Sequence, residues 1–469
     1  MHYTADYLVV GAGASGMSFV DVMLEETDAT FLMVDRRDAP GGHWTDAYPF
    51  VRLHQPAQTY GVNSRPLGRG RTEQVGTNKG FYELSSGREI ARYYESLMAD
   101  VFLETGRVTF LPLTDFVGDG VVRNLLSGDE CQVTVTKKLV DATPMMTTIP
   151  MTHKRKFSVS EGVECVPPNL LPLRAAGHEY FVILGAGKTA MDAISWLLDH
   201  GCPGSAISWV MPRDSWTLRR EAVQPGIEFF DGSIRTMAGL YEVAAKAETA
   251  EDFYAGAERI GYMRRFSDEV EPSMFHAALL TDADAQRLRG IDDVIRMGRV
   301  RSVEPGRLQL AGGERAIPLG SLIVDCTASA VADNVNRFEP VFSEGKIALH
   351  MVRQFQPCFS AGLIAYLEAT MEDDDEKNFL TAPTPMIDDI SDWLRVLANS
   401  IENQGKWTMN PDVAGWIGRS RLDHPSKTIA SIPEDDTEKW SVIGRLREYG
   451  PAAVENLRRL HEGNRIERS

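Results

Sequence analysis

The chain has 469 residues, 43% hydrophobic and 25% charged, with a formal net charge of −17. That length predicts roughly two or three domains able to bury cores without disulfide staples, and the acidic balance argues against a nucleic-acid binder, which needs a basic stripe. The five cysteines include no CxxC pair, which excludes a redox-active disulfide of that type, argues against a zinc site and fits a reducing, cytoplasmic setting; no window supplies about 18 uninterrupted apolar residues, so no membrane span is expected.

Tyr7-Leu-Val-Val10 reads as a buried parallel strand. Gly11-Ala-Gly13-Ala14-Ser15-Gly16 follows, then an apolar-periodic helix, then a second strand, Thr30–Val34, ending in Asp35 with Arg36 beside it. Strand, glycines, helix, strand and terminal acid in that order form a dinucleotide-binding fingerprint. The glycines give the tight turn, the close approach of a diphosphate and the helix–strand packing, while the helix N-terminus offers N–H groups to phosphate. An acid at the second strand's end favours a free 2′-hydroxyl, hence FAD or NAD.

Gly41-Gly42-His43-Trp44 comes next. With it the sequence resembles the flavin-containing monooxygenases and the Baeyer–Villiger group, the class B flavoprotein monooxygenases, which place a GG-x-W segment after the ribose-binding acid. The resemblance implies FAD as the first nucleotide, with Gly42, His43 and Trp44 beside it; read alone, Trp44 is equally a core residue. The resemblance further implies that Leu53–Asn63 passes near the isoalloxazine, which makes His54, Gln55 and Asn63 the candidate catalytic residues. A turn whose polar side chains cap backbone is the alternative. The usual FxGxxxH fingerprint of that group is lacking: Thr152–Pro168 has neither its glycine nor its histidine spacing.

Tyr180–Leu184 is another buried-strand candidate, followed by Gly185-Ala-Gly187-Lys188-Thr189-Ala190, a helical run and a strand over Ala206–Met211. GxGxxA is a nicotinamide-cofactor variant. Gly187-Lys188-Thr189 imitates the end of a Walker A loop, but Val182 stands where that loop needs glycine, so ATP is not expected. Arg213, Ser215 and Arg220 follow the second strand, and a guanidinium there can pair with a 2′-phosphate, which favours NADPH over NADH. Asp214 could instead contact ribose or neutralise Arg213, and Arg219 and Arg220 read equally as solvated surface.

After each site the same grammar recurs. Gly106–Phe110, a polar hairpin and Leu139–Thr143 echo Gly298–Ser302, a second hairpin and Leu322–Thr327, both ending in Asp-small-Thr. Between Glu221 and Met297 a mainly helical excursion is expected, either a substrate lid or simple packing. Gln354–Ala365 reads as a loop feeding a helix whose start, with Ser360, faces the flavin. The acidic run Met371–Lys377 reads as a solvated loop, and no metal spacing appears among the ten histidines.

The expectation is an α/β chain with two Rossmann-like dinucleotide-binding domains. Residues 1–165 and 329–469 form the FAD domain, and 175–328 form an inserted NADPH domain carrying the helical insertion at 221–297. The expected function is an FAD-dependent, NADPH-consuming monooxygenase that forms a flavin C4a-(hydro)peroxide and oxygenates a small molecule. The alternatives are an NAD(P)H-dependent flavin oxidoreductase without oxygen insertion, or a non-catalytic FAD-binding redox protein. Expected partners are a small-molecule substrate and O2, with no nucleic acid and no membrane; a homodimer is left open.

Overall fold

The computed structural model describes residues 2–145, 148–329 and 338–468, with side chains to 463. Short apolar runs build the first parallel sheet. Strand β1 (His2–Val10) leads through the glycine turn into helix α1 (Ala14–Glu26). Strand β2 (Phe31–Val34) is buried at every position, as a parallel sheet covered on both faces requires. Helix α2 (Gly87–Leu97) starts in a Ser86/Glu89 capping box. Strands β3 (Val108–Leu111), β4 (Thr114–Gly118), β5 (Val121–Asn124) and β6 (Glu130–Asp141) follow. The parallel order is β3-β2-β1-β6. The β4–β5 hairpin hangs antiparallel from the first residues of β6.

The second sheet repeats the plan. Strands β7 (Ser158–Val159) and β8 (Cys165–Val166) and the single turn α3 (Leu171–Arg174) precede β9 (Phe181–Leu184), α4 (Lys188–Asp199) and β10 (Ile207–Val210). Then come β11 (Ser215–Arg219), α5 (Thr236–Lys246), α6 (Ala250–Arg259), β12 (Met263–Arg264), β13 (Met274–Leu280) and α7 (Asp282–Arg289). Strands β14 (Asp293–Ile295), β15 (Val300–Glu304), β16 (Arg307–Leu310), β17 (Gly313–Ala316) and β18 (Leu322–Asp325) close the unit. Its parallel order, β14-β10-β9-β18-β8, matches the first sheet strand for strand over the first four.

Two expectations change here. The excursion after β10 is not only helical, because β11, β12 and β13 form a separate three-stranded sheet. The run Met274–Leu280, nearly all apolar and buried, is one of its strands. The sequence echo is also out of step by one strand. Gly106–Phe110 enters the main sheet as β3, whereas Val300–Glu304 belongs to the antiparallel β15-β16-β17 meander, and β14 is the true counterpart of β3.

The tail returns to the first sheet. Strand β19 (Phe342–Ser343) pairs with β20 (Lys346–Ala348), which lies parallel to β6. Helix α8 (Pro357–Thr370) packs on α1, where Ser18 Oγ donates to Cys358 O at 2.7 Å. Helix α9 (Asp374–Phe379) replaces the solvated loop expected at the acidic run. Its Lys377 is buried and paired with Glu368 and Asp374, both of which also hold Lys138 of β6. Helices α10 (Ile390–Met409), α11 (Pro411–Arg419), α12 (His424–Ala430) and α13 (Thr437–Arg468) complete the chain. Phe253, Phe275, Trp393 and Leu457 share one core, so the excursion and the tail pack as one body. Among the described residues no helix is long and apolar enough to cross a membrane.

Candidate functional site

The first cradle is built by backbone. Gly11 N donates to Val34 O, and Gly13 begins α1 with no side chain capping the helix. A Cβ at Gly16 would lie 2.1 Å from Gly11 O, so only glycine lets the helix settle on the strand. Ala14 and Ser15 sit in the first turn of α1, Ser15 buried. Asp35 is buried, accepting from Ala12 N (2.7 Å) and Arg37 N (2.9 Å), which clamps the loop and leaves each oxygen one further lone pair. Gly41 N donates to Ala12 O, and Gly42 lies against Gly13, so the GG segment rests on the glycine turn. Trp44 Nε1 donates to Tyr60 Oη at 2.8 Å, with the His43 ring beside it. Arg36 points outward to Asp115, 3.7 Å away and mostly exposed.

The second cradle repeats this. Gly185 N donates to Val210 O, and Gly187 starts α4 without a side-chain cap and with open space where a Cβ would stand. Ala190 is buried in the place of the third glycine. The strand end beside each turn is fixed identically: Thr143 Oγ1 donates to Asp141 Oδ1 and Thr327 Oγ1 to Asp325 Oδ1, both at 2.6 Å. The residue between, Ala142 or Cys326, lies against the turn, and a Cβ at Gly185 would come within 2.5 Å of Cys326 O. Burial first, then Asp325 and Asp192, push the Cys326 thiol well above its usual range, which makes it a core residue. His153 Nε2 donates to Asp325 Oδ2 at 3.0 Å.

The two glycine turns set a register. Asp35 follows β2 as Met211 follows β10, so Arg213 takes the place of Arg37. Arg213 Nη2 meets both oxygens of Asp388 (2.8 and 3.0 Å), and His276 Nε2 lies 2.8 Å from the same carboxylate. Asp214 does not neutralise Arg213: it is buried and pairs with Arg296 through both oxygens, at 2.8 and 3.0 Å. Two of the residues expected at a 2′-phosphate lie elsewhere. Ser215 is buried at the start of β11 and donates to Trp216 O. Arg220 is buried against Asn78 (3.0 Å), Asp284 (3.2 Å) and Leu279 O (3.0 Å). Strand β11 enters a buried sheet directly after the turn, which carries Ser215 inward and sets Arg220 just past its end.

Between the cradles Tyr48 Oη donates to Asp192 Oδ2 at 2.7 Å, and Asp192 also pairs with Lys188, beside Thr189 at the start of α4. Burial, then Lys188, Arg220 and His43, hold the His54 imidazole well below its usual range. Solvent reaches His43 from one side, yet enclosure first and Arg37 second push it down to about 4. These neighbours place His54 on the seam, within the field of the second cradle's lysine. Gln55 is half-buried and makes no hydrogen bond among the described residues. Asn63 is turned to the tail, its Oδ1 accepting from Ser420 Oγ (2.9 Å) and Arg421 N (3.2 Å). Ser360 is buried, its Oγ accepting from Val352 N (3.1 Å) and Arg353 N (3.2 Å), while the N-terminus of α8 stays uncapped by any side chain. Sequence reasoning passed over Tyr48 and Asp192; the available signal was the Lys188/Asp192 spacing, one helical turn apart.

The uncharacterized protein Rv2000 of Mycobacterium tuberculosis (strain ATCC 25618 / H37Rv) is 40% identical over 455 residues, spanning 97% of this chain and 84% of that protein. Protein Mb2023 of Mycobacterium bovis, also uncharacterized, matches equally. The chain belongs to the family of these mycobacterial proteins. No family model matches it. Solved structures similar to it include a flavin monooxygenase from Stenotrophomonas maltophilia (13% identity, TM-score 0.46, covering 80% of this chain and 98% of that one). A polycyclic ketone monooxygenase from the fungus Thermothelomyces thermophila gives 11% identity and a TM-score of 0.48, covering 98% and 88%. A bacillithiol disulfide reductase from Staphylococcus aureus gives 10% and 0.44, covering 79% and 100%. Likenesses this distant carry no argument about chemistry.

Proposed function

We propose that this chain is a flavoprotein oxidoreductase that holds FAD in the first cradle and NADPH in the second and oxygenates a small molecule. The observation that carries the reading is the pair of glycine cradles, each opening on an uncapped helix N-terminus and each backed by the same Asp-x-Thr turn. Asp35 beside the first supports a nucleotide with free ribose hydroxyls. Apolar, buried Met211 in the matching place supports one with a 2′-phosphate, since it offers no carboxylate to accept from a 2′-hydroxyl.

FAD would be held by the N–H groups at the start of α1 and by Asp35, and NADPH by those at the start of α4 and by Arg213. The bound pair supplies hydride transfer and, on the reduced flavin, reactivity toward O2. His54, kept neutral, offers one ring N–H as a donor and one ring nitrogen as an acceptor of hydrogen bonds. Asp192 holds the Lys188 ammonium at the mouth of the second cradle, and Tyr48 fixes Asp192 from the other unit. On this reading the excursion and the tail, which share one core, would be the parts that keep water from the bound flavin.

The test is spectroscopic and isotopic. Purified protein should be yellow, should bleach with NADPH under nitrogen, and should put heavy-isotope oxygen from O2 into an organic product. Bleaching with product turnover but no label would reduce the reading to a dehydrogenase. Colourless protein that gains no flavin on addition of FAD would end it.

A further inference from the structure

We propose that Asp388 tunes the nucleotide preference of the second cradle by occupying, as an internal anion, the seat that Arg213 and His276 offer to a 2′-phosphate. The inference rests on the reading that this cradle takes a nicotinamide nucleotide. Three observations carry it.

The first is position. Hydrogen-bond register makes Met211 the counterpart of Asp35, the residue that stands at the ribose in such a fold. Arg213 lies two residues on. Ser215 and Arg220 are committed elsewhere, and Arg296 is spent on Asp214. Arg219, at the end of β11, pairs with Asp282 at 3.0 Å, so of the arginines between β10 and α5 it is Arg213 that stands nearest in sequence to this ribose position.

The second is occupancy. Among the described residues Arg213 Nη2 meets both Asp388 oxygens and Met274 Sδ. His276 Nε2 approaches the same carboxylate from β13. A carboxylate set between a guanidinium and an imidazole has the surroundings that suit a phosphate monoester. Arg213 and Asp388 are 35% and 43% exposed, so a ligand can reach the pair, and a pair so exposed is weak enough to exchange.

The third is origin. Arg213 and His276 belong to the second unit, while Asp388 comes from the segment leading into α10. The next residue, Asp389, caps α10 by accepting from Ser391 N at 2.8 Å and bridges to Met274, so the backbone at this point is anchored. An incoming phosphate cannot push the chain away. It must turn the Asp388 side chain out of the seat and then sit beside that negative charge. NADPH meets this cost and NADH does not.

The experiment titrates the full-length, FAD-loaded protein with NADPH, NADH, adenosine 2′,5′-bisphosphate and AMP by calorimetry. Asp388→Asn should bind NADPH and the bisphosphate about three- to fivefold more tightly than the parent. Its affinity for NADH and AMP should stay unchanged, and Arg213→Ala in the same chain should abolish the gain. Asp388→Glu, which keeps the anion, should retain the parent's preference and serves as the control for folding. Equal gains for all four ligands, no gain, or weaker NADPH binding in Asp388→Asn would make Asp388 a structural brace and overturn the proposal, with the nicotinamide reading intact. If no ligand binds while FAD stays bound, the second cradle is not a nicotinamide site and the inference falls with it.

Discussion

His54 carries no proton at neutral pH, because enclosure and the charges of Lys188 and Arg220 all oppose the imidazolium. In the unfolded chain its imidazole titrates near an ordinary value of about 6.5. Below that pH the unfolded state binds a proton that the folded state refuses, so this residue's contribution is intact above pH of about 6.5 and drains away on acidification. Urea unfolding should therefore show stability falling between pH 7 and pH 5, and His54→Gln should flatten that slope. An unchanged slope would remove His54 from the charged seam. His43 shares the direction of shift, but solvent reaches it and screens its part. Neighbourhood of this kind is invisible in sequence: His54 was placed near the flavin by resemblance, while its approach to Lys188 depends on how the two units meet.

The glycine turns, their strands and their helices were legible because each is a local pattern whose geometry a few adjacent residues dictate. Elements fixed by distant partners were not. The run Met274–Leu280 has no period that separates a buried strand from a buried helix, and only pairing with β11 decides it. The acidic run before Lys377 looks solvated until Glu368 and Lys138 arrive from other elements. Ser360 shows the same limit, since the bonds its hydroxyl accepts from the loop before α8 come from residues seven and eight positions away that no local pattern announces. Ser360→Ala leaves two buried N–H groups without their acceptor, and should cost about 1–3 kcal/mol in urea unfolding while FAD stoichiometry stays at the parent level. Loss of flavin at unchanged stability would return Ser360 to the cofactor site.

At the scale of the molecule, two units with the same strand order face each other across Tyr48 and Asp192. The Tyr48 hydroxyl is buried, and burial with Asp192 beside it pushes its ionisation well above the usual range, so it acts as a neutral donor. Tyr48→Phe removes one of the two donors on Asp192 and should lower the unfolding free energy by about 1–3 kcal/mol. The weakened NADPH binding expected alongside is readable by calorimetry, and unaltered affinity would mean that the tie serves stability alone. The two units differ in one respect with practical weight. In the first, β6 is at once the last strand of the hairpin layer and a member of the main sheet, whereas in the second those duties are split between β17 and β18. The turn between β17 and β18, with exposed Leu319 and open space where a Cβ of Gly320 would stand, is consequently the link between meander and main sheet, and it is held there by His178 Nδ1, 2.8 Å from Gly320 O. A reporter peptide spliced at exposed Leu319 would leave both β17 and β18 paired, while the same graft anywhere along β6 would be felt by the whole first unit.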